Sequence, residues 1–453
     1  MVPDGAAYVN GLRWSHMTDH GGETIVALAT GRARAAIALL RLSGPASRFV
    51  IETIAGSCPP PRQAVLRRLR RTDTGEVLDH GLVLWLPGPG SFSGEDMAEF
   101  HLHGGQAVIA AVLDAILGLP KCRLAEPGEF SRRAFLAGKL DLSAAEGIAD
   151  LVDAETEAQR RQALRQMDGA LTVTVEGWRD RLIACLAEIE ADLDFSDEGD
   201  VVTYNAATAE EIAGIRAEMA AVLADGRRGE RLREGFTVVI AGPPNAGKST
   251  LLNRLLQREA AIVSPIAGTT RDIIEARLDL DGLPVVLVDT AGLRDTQDPL
   301  EEEGVRRARK RAKTADLVLA LEAVDSSPQS TLPAEGMPVL RIWTKCDLAP
   351  PPSGFEGIVL SATTSEGVGD LLDVLAREAG RGVGDGSALV TRERHRRALT
   401  DAVAAIDRGR EDGGPELLAE DLRLALRALG RVTGRVGVED ILDRVFSTFC
   451  IGK

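Results

Sequence analysis

The run Gly242-Pro243-Pro244-Asn245-Ala246-Gly247-Lys248-Ser249 constrains the fold of this chain more than any other feature. It fits the pattern GxxxxGKS, follows the apolar stretch Thr237 to Ala241, and opens a helical pattern through Leu256. Such a loop works between a strand and a helix: glycines let backbone amides close on phosphate oxygens, and the helix N-terminus faces them with its partial positive charge. Lys248 is placed to neutralise β- and γ-phosphate charge, and Ser249 offers a hydroxyl to magnesium.

The surrounding segments supply the sheet this loop needs. Thr237 to Ala241, Val285 to Val288, Leu317 to Leu321 and Val339 to Trp343 are short apolar runs, suited to parallel strands covered on both faces. Ile274 to Leu280 and Val285 to Val288 flank Asp281-Gly282, a hairpin signal that adds one antiparallel edge strand.

Further motifs arrive in the order a guanine-nucleotide domain requires. Gly268-Thr269-Thr270 carries hydroxyls for the magnesium shell and the γ-phosphate, with Thr270 joining Ser249 as the expected magnesium pair. Asp289-Thr290-Ala291-Gly292 ends a strand with a carboxylate beside the metal's water shell and a glycine at the γ-phosphate. Thr344-Lys345-Cys346-Asp347 brings a carboxylate to the N1 and N2 donors that guanine has and adenine lacks, and Ser361-Ala362 backs the base. With Asn245, Ala246, Gly247, Lys248, Ser249 and Thr250, these residues make the expected GTP site. Two departures stand out. Thr344 replaces the asparagine of the common NKxD motif, so a hydroxyl must do an amide's work, and Leu293 stands where Ras carries the glutamine that orients attacking water.

At 453 residues the chain exceeds what one core usually serves, so two or three domains are expected. From Thr24 to about Leu140, short β-rich runs such as Ile37 to Leu42 and Leu82 to Leu86 alternate with turns and helices, an α/β or α+β pattern. From Ser143 to about Leu223, apolar residues including Leu164, Met167, Leu171, Val175, Trp178, Leu182 and Ile189 recur at three- and four-residue spacing, the period of one long amphipathic helix. Helical spacing returns after Gly380 to Gly386, through Leu399, Val403, Ile406, Leu422 and Leu429. Two helical blocks thus bracket the nucleotide domain and are expected to pack together, with that domain inserted between them.

Composition narrows the partners. Hydrophobic residues make up 44% and charged residues 27%, as in globular proteins, and no run reaches membrane-spanning length. Five scattered cysteines, none in a CxxC spacing, point to a reducing, cytoplasmic setting. The net charge of −15 repels nucleic acid overall, so any RNA contact must come from a partner or a local basic patch, such as Arg67, Arg68, Arg70 and Arg71 or the run Arg306 to Lys313. A solvated surface is the ordinary explanation of such runs.

Over nearly its full length the chain resembles the MnmE (TrmE) family of transfer-RNA modification GTPases. The resemblance rests on PNAGKS in the phosphate loop, GTTRD from Gly268 to Asp272, DTAGLR from Asp289 to Arg294, and the terminal Phe449-Cys450-Ile451-Gly452-Lys453. Upstream, Arg41-Leu42-Ser43-Gly44, Ser93-Gly94-Glu95-Asp96 with Glu99, His103-Gly104-Gly105 and Pro127-Gly128-Glu129-Phe130 running to Leu142 also match.

The resemblance implies a multidomain α/β architecture: an N-terminal tail over 1–23, an α+β folate-binding and dimerisation domain over 24–140, a discontinuous helical domain over 141–232 and 381–453 that ends in the CIGK motif, and an inserted Ras-like P-loop GTPase domain over 233–380. It implies a homodimer that works with the flavoprotein MnmG (GidA) in a heterotetramer or larger complex. Together they add an aminomethyl or carboxymethylaminomethyl group to carbon 5 of the wobble uridine, from a methylene-tetrahydrofolate one-carbon unit, with transfer RNA held directly or through the partner. By match of motif, Arg41, Glu99, Lys139 and Lys453 hold the 5-formyl- or methylene-tetrahydrofolate and Cys450 lies near it. Asn245, Ser264, Ile266 and Thr269 match the positions that bind a potassium ion, Ser264 also joining the GTP site, and Glu301 matches the residue that positions water. Glu301, Asn245 and Lys248 are therefore the expected catalytic groups.

Other readings of the residues carry less. His101 and His103 form an HxH without further ligands nearby in sequence, and Cys450 precedes residues that a prenylation signal does not use. A regulatory GTP switch in ribosome or RNA–protein assembly, without a role in base modification, is the alternative of another class.

Overall fold

The structure is a computed structural model that describes residues 22–31, 33–195, 205–225, 227–257, 275–289, 315–323, 337–384, 387–411, 414–436 and 439–452. The chain groups into two compact units, Met1–Ala149 with Gly430–Lys453, and Asp150–Leu429. No helix among the described residues is long and apolar enough to cross a membrane.

The first unit is built on a six-stranded sheet. Its strands are β1 (Thr24–Leu28), β2 (Ile37–Ser43), β3 (Val65–Arg70), β4 (Val77–Leu86), β5 (Met97–His103) and β6 (Cys122–Leu124), in the order β3-β4-β5-β2-β1-β6. All neighbours run antiparallel except β1 with β6. Side chains alternate between the faces. Val26, Leu40, Leu42, Val83 and Phe100 form one core with residues of α1 (Ser47–Ala55) and α2 (Gln106–Leu117). The opposite face buries Ile25, Ala27 and Met97 with Phe130 of α3 (Glu129–Leu136).

Downstream of α3, α4 (Leu142–Asp153) places Leu142 and Ala145 in a small cluster with Leu442, Phe446 and Phe449. The Phe446 ring sits 6.3 Å from Phe135 and 5.3 Å from Phe449. Sequence-distant aromatics thus fix the chain's last residues to this unit.

In the second unit, β7 (Phe236–Ala241), β8 (Glu275–Leu280), β9 (Leu283–Asp289), β10 (Leu317–Glu322), β11 (Val339–Trp343) and β12 (Ile358–Val359) form a sheet in the order β12-β11-β10-β7-β9-β8. Only β8 is antiparallel, and it turns into β9 at Asp281 and Gly282, both with positive φ, as the Asp-Gly signal requires. Helices of this unit are α5 (Glu157–Met167), α6 (Ala170–Phe195), α7 (Ala206–Ala224), α8 (Arg228–Glu234), α9 (Lys248–Leu256), α10 (Val368–Val383) and α11 (Glu393–Glu411).

The single long helix read from Leu164 to Ile189 is in fact two. Helix α5 starts at a capping box on Thr156 and stops at Asp168, and Gly169 turns the chain at φ +84° before α6 begins. The apolar spacing continued across the break because both helices bury one side, including Ala163, Leu171, Val175, Trp178, Leu182 and Ile189.

Segments before and after the nucleotide domain are joined by ion pairs. Arg216 of α7 makes a two-bond fork with Asp407 of α11 at 2.9 Å, and Arg396 reaches Glu230 of α8 at 3.0 Å. The insertion of the nucleotide domain into a discontinuous helical domain is the observed architecture. The last long helix, α12 (Pro415–Thr433), and α13 (Glu439–Phe446) complete the chain.

Candidate functional site

Strand β7 ends at Ala241, and the next six residues turn back over the sheet into α9. Gly242 lies so close to β10 that a Cβ there would stand 2.6 Å from the Leu321 carbonyl oxygen. The Lys248 ammonium donates to the carbonyls of Gly242 at 2.8 Å and Pro243 at 2.9 Å, which holds it over the loop. Ser249, on the first turn of α9, donates its hydroxyl to Asp289 Oδ2 at 3.2 Å. Asp289 is buried at the end of β9. A hydroxyl and a carboxylate so placed beside a cradle of backbone amides form a donor set suited to magnesium on a nucleotide phosphate.

The base side of the site comes from the loops after β11 and β12. Thr344 is buried, and its hydroxyl donates to the Ala246 carbonyl at 2.8 Å, with the Glu322 carbonyl at 3.1 Å as the alternative acceptor. Lys345 takes a positive φ, Asp347 is exposed, and the Cys346 amide bonds the Leu360 carbonyl at 3.3 Å. Burial and the Glu366 carboxylate push the Cys346 thiol up, so it stays protonated near neutrality. Ser361 is buried: its hydroxyl accepts from the Thr364 amide at 3.2 Å and its own amide bonds the Glu366 carbonyl at 2.9 Å. Arg254 of α9 donates to the Ser365 hydroxyl, joining the phosphate helix to the base loop. The sequence reading missed Arg254, because its partner lies far along the chain and neither residue belongs to a motif.

The structure brings Asn245, Ala246, Gly247, Lys248, Ser249, Thr250, Asp289, Thr344, Lys345, Asp347, Ser361 and Ala362 into the described residues of one unit. Asn245 has φ +67° and is exposed at the tip of the phosphate loop. Ser264, Ile266, Thr269, Thr270, Thr290, Ala291, Gly292 and Glu301 lie outside the described residues.

In the other unit, β2 and β5 pair with Arg41 directly opposite Glu99, on the face away from α1 and α2. Arg41 Nε donates to Glu99 Oε1 at 3.0 Å, and both side chains keep some exposure, 25% and 15%. The other oxygen of Glu99 lies 3.5 Å from Nε2 of His101, a buried nitrogen that makes no hydrogen bond. Such an atom wants a partner of its own, so His101 belongs with this pair; a lone HxH reading could not show that. His103 instead pairs with Asp79, Nδ1 to Oδ1 at 2.7 Å.

Lys139 packs beside Gly94, where an added Cβ would stand 3.7 Å from the lysine side chain. Cys450 is exposed, and its carbonyl accepts from the Gly128 amide at 3.5 Å. Gly452 has φ +102° and presses on the end of β1, where a Cβ would stand 2.7 Å from the Leu28 carbonyl oxygen. Lys453 lies outside the described residues.

Below these groups runs a polar network. Ser43 donates to Glu95 at 2.6 Å and shares a 2.7 Å hydroxyl contact with Ser93, while Arg133 bonds Glu95 at 2.9 Å and Glu129 at 3.0 Å. Arg123 grips Glu129 with both terminal nitrogens, at 2.6 and 2.8 Å. Burial alone would raise the Glu129 carboxyl, but Arg123, the Glu126 amide and Arg133 together hold it below the usual carboxylate range.

Residues 142–450 match the family model of the MnmE helical domain, and residues 24–139 match that of the GTP-binding protein TrmE N-terminus. The tRNA modification GTPase MnmE of Methylorubrum populi is 59% identical over 95% of this chain and 98% of that protein. The protein of the same description from Methylobacterium sp. (strain 4-46) is 58% identical over 95% of this chain and 100% of that one. Among solved structures, the G domain of the T. maritima FeoB iron transporter is 25% identical over 32% of this chain and 98% of that chain, with a TM-score of 0.24. With both family models matched and near-complete coverage at this identity, the chain belongs to the MnmE family of tRNA modification GTPases.

Proposed function

We propose that this tRNA modification GTPase is activated by potassium and works in the cytoplasm as a homodimer with the flavoprotein MnmG (GidA). Together they install an aminomethyl or carboxymethylaminomethyl group on C5 of the wobble uridine, from a methylene-tetrahydrofolate one-carbon unit. In this reading residues 24–140 bind folate and dimerise, 141–232 and 381–453 form the helical domain, and 233–380 hydrolyse GTP.

In the nucleotide site, Lys248 holds charge on the β/γ bridge while Ser249 and Thr270 take the magnesium positions, with Asp289 accepting the Ser249 hydroxyl as it does at 3.2 Å here. Asp347 and the loop of Ser361 and Ala362 select guanine. Thr290, Ala291, Gly292 and Lys345 complete the contacts. The residue after Gly292 is Leu293, which cannot orient water. Bound to Asn245, Ser264, Ile266 and Thr269, potassium would supply the positive charge that other GTPases take from an arginine. Asn245 is exposed at the loop tip, and Glu301 is assigned to positioning the water.

For folate, the carrying observation is the orphaned Nε2 of His101 beside the Arg41–Glu99 pair. Methylene-tetrahydrofolate would supply an activated one-carbon unit. Its donor-rich pterin suits Glu99, and its glutamate tail suits the cations Arg41, Lys139 and Lys453. Gly452 sits against Leu28, one residue beyond Ala27, the β1 residue opposite Arg41, which supports bringing Cys450 and Lys453 to the same end of the sheet.

The deciding experiment is mass spectrometry of wobble nucleosides from a strain lacking this protein. Loss of the C5 modification is expected. Unchanged nucleosides would instead favour a GTP switch with no part in base modification.

A further inference from the structure

We propose that the edge strand β3 is where this chain itself binds transfer RNA, through the phosphate backbone. The proposal rests on the tRNA-modification role and adds to it a direct contact surface.

Four arginines, Arg67, Arg68, Arg70 and Arg71, lie on or just after β3. Their hydrogen bonds go to neutral groups: Arg67 to the Leu66 carbonyl at 3.4 Å, Arg68 to His80 Nε2 at 3.1 Å, and Arg70 to the Gly75 carbonyl at 2.9 Å. Nε of Arg67 is buried and makes no hydrogen bond. None of the four has a carboxylate within ion-pair distance among the described residues, although Asp73 and Glu76 lie in the adjoining turn. Exposed arginines elsewhere do hold acids, as in Arg48–Glu52, Arg181–Glu211, Arg397–Glu393 and Arg423–Glu190. In a chain of net charge −15, a row of cations left without acids is a local positive field, and screening over about 8 Å lets it act on a polyanion despite the distant negative charge.

The strand's place in the sheet favours the same partner. As an edge, β3 also leaves backbone amides unpaired by the sheet, and backbone N–H groups commonly join arginines on phosphates. Registry then fixes the side. Arg41 faces Glu99, Glu99 faces Leu84, and two-residue steps along β4 reach Leu82, opposite Leu66, and His80, opposite Arg68. Leu66 and Arg68 therefore share the sheet face of Arg41, Glu99 and His101. Three strand spacings and a four-residue stagger separate Arg68 from Arg41 by about 20 Å. RNA tracked along β3 would lie on the same face of the sheet as the proposed folate groups. Leu66, 64% exposed, offers its side chain to a sugar or base in the same row.

The test uses the full-length protein and unmodified tRNA in a fluorescence-anisotropy titration across a salt series. Wild-type affinity should fall with salt. Arg68→Gln with Arg70→Gln should bind about tenfold more weakly at low salt, with a log–log slope shallower by about two, while Arg68→Lys with Arg70→Lys keeps most of the affinity. GTP turnover without RNA and 5-formyl-tetrahydrofolate affinity should stay at wild-type values. Wild-type binding by the double Gln variant overturns the proposal. So does absence of tRNA binding by the chain alone, or a loss of affinity that tracks a change of mass in sedimentation, which would make β3 a contact between copies. The tRNA-modification reading fails separately, if wobble nucleosides are unchanged in the deletion strain.

Discussion

The hydroxyl of Thr344 donates to the carbonyl of Ala246 at 2.8 Å, tying the guanine loop to the phosphate loop from a position 2% exposed. The hydroxyl that replaces the NKxD asparagine therefore still bridges the two loops. Removing it leaves a buried carbonyl without its donor, a cost of about 1–3 kcal/mol. Thr344→Val should weaken GDP binding about tenfold or more by stopped-flow fluorescence, and Thr344→Ser should restore most of it. Wild-type affinity in Thr344→Val would show that the bridge is dispensable.

Guanine selection is expected from Asp347, exposed in the loop after β11. The protein should bind GDP and GTP far more tightly than ATP, and Asp347→Asn should erase most of that preference. Equal ATP and GTP affinities in calorimetric titration of the unaltered protein would remove the assignment.

Hydrolysis should be slow in sodium and rise strongly in potassium at matched ionic strength. Asn245→Ala should abolish the rise, and Glu301→Ala should lower kcat while leaving GTP affinity intact. Equal rates in the two salts would refute the ion's role. An unchanged Glu301→Ala rate would remove only that residue.

Folate binding is expected to need the pair on β2 and β5. Arg41→Ala frees Glu99 of its 3.0 Å partner, and together with Lys139→Ala it should abolish the calorimetric signal for 5-formyl-tetrahydrofolate. His101→Phe, which keeps a ring but loses Nε2, should weaken binding without changing GTP turnover. Unaltered binding in the Arg41/Lys139 double variant would show those assignments to be wrong.

Glu129 gives a pH-dependent stability. Its folded-state carboxyl is held below the ordinary value by Arg123, the Glu126 amide and Arg133 against the cost of burial. A depressed carboxyl stabilises the fold fully above its unfolded pKa of about 4.3, and that contribution is lost as pH falls through the folded value. Glu129→Gln should therefore cost about 3 kcal/mol at pH 7, since it leaves two guanidiniums beside a neutral amide. Hydrogen exchange of the α3 amides should show that loss, shrinking toward acid pH. A penalty independent of pH would mean packing, not charge, sets it.

Much of this protein was legible in the sequence where information is local. A strand, a glycine loop and a helix occupy consecutive residues, so the phosphate loop and α9 through Leu256 could be read directly, as could the Asp281-Gly282 turn. Helical spacing survived too, although it ran across Gly169 and concealed the break between α5 and α6. Tertiary structure alone decided the pairings between distant residues. Arg41 meets Glu99 across 58 positions and Thr344 meets Ala246 across 98, because strand order and register set those contacts and neither is written in any one segment. The same holds for Gly452 against Leu28, and for the arginines of β3. Their spacing shows only a basic run; edge position and the absence of facing acids emerge once the sheet has formed.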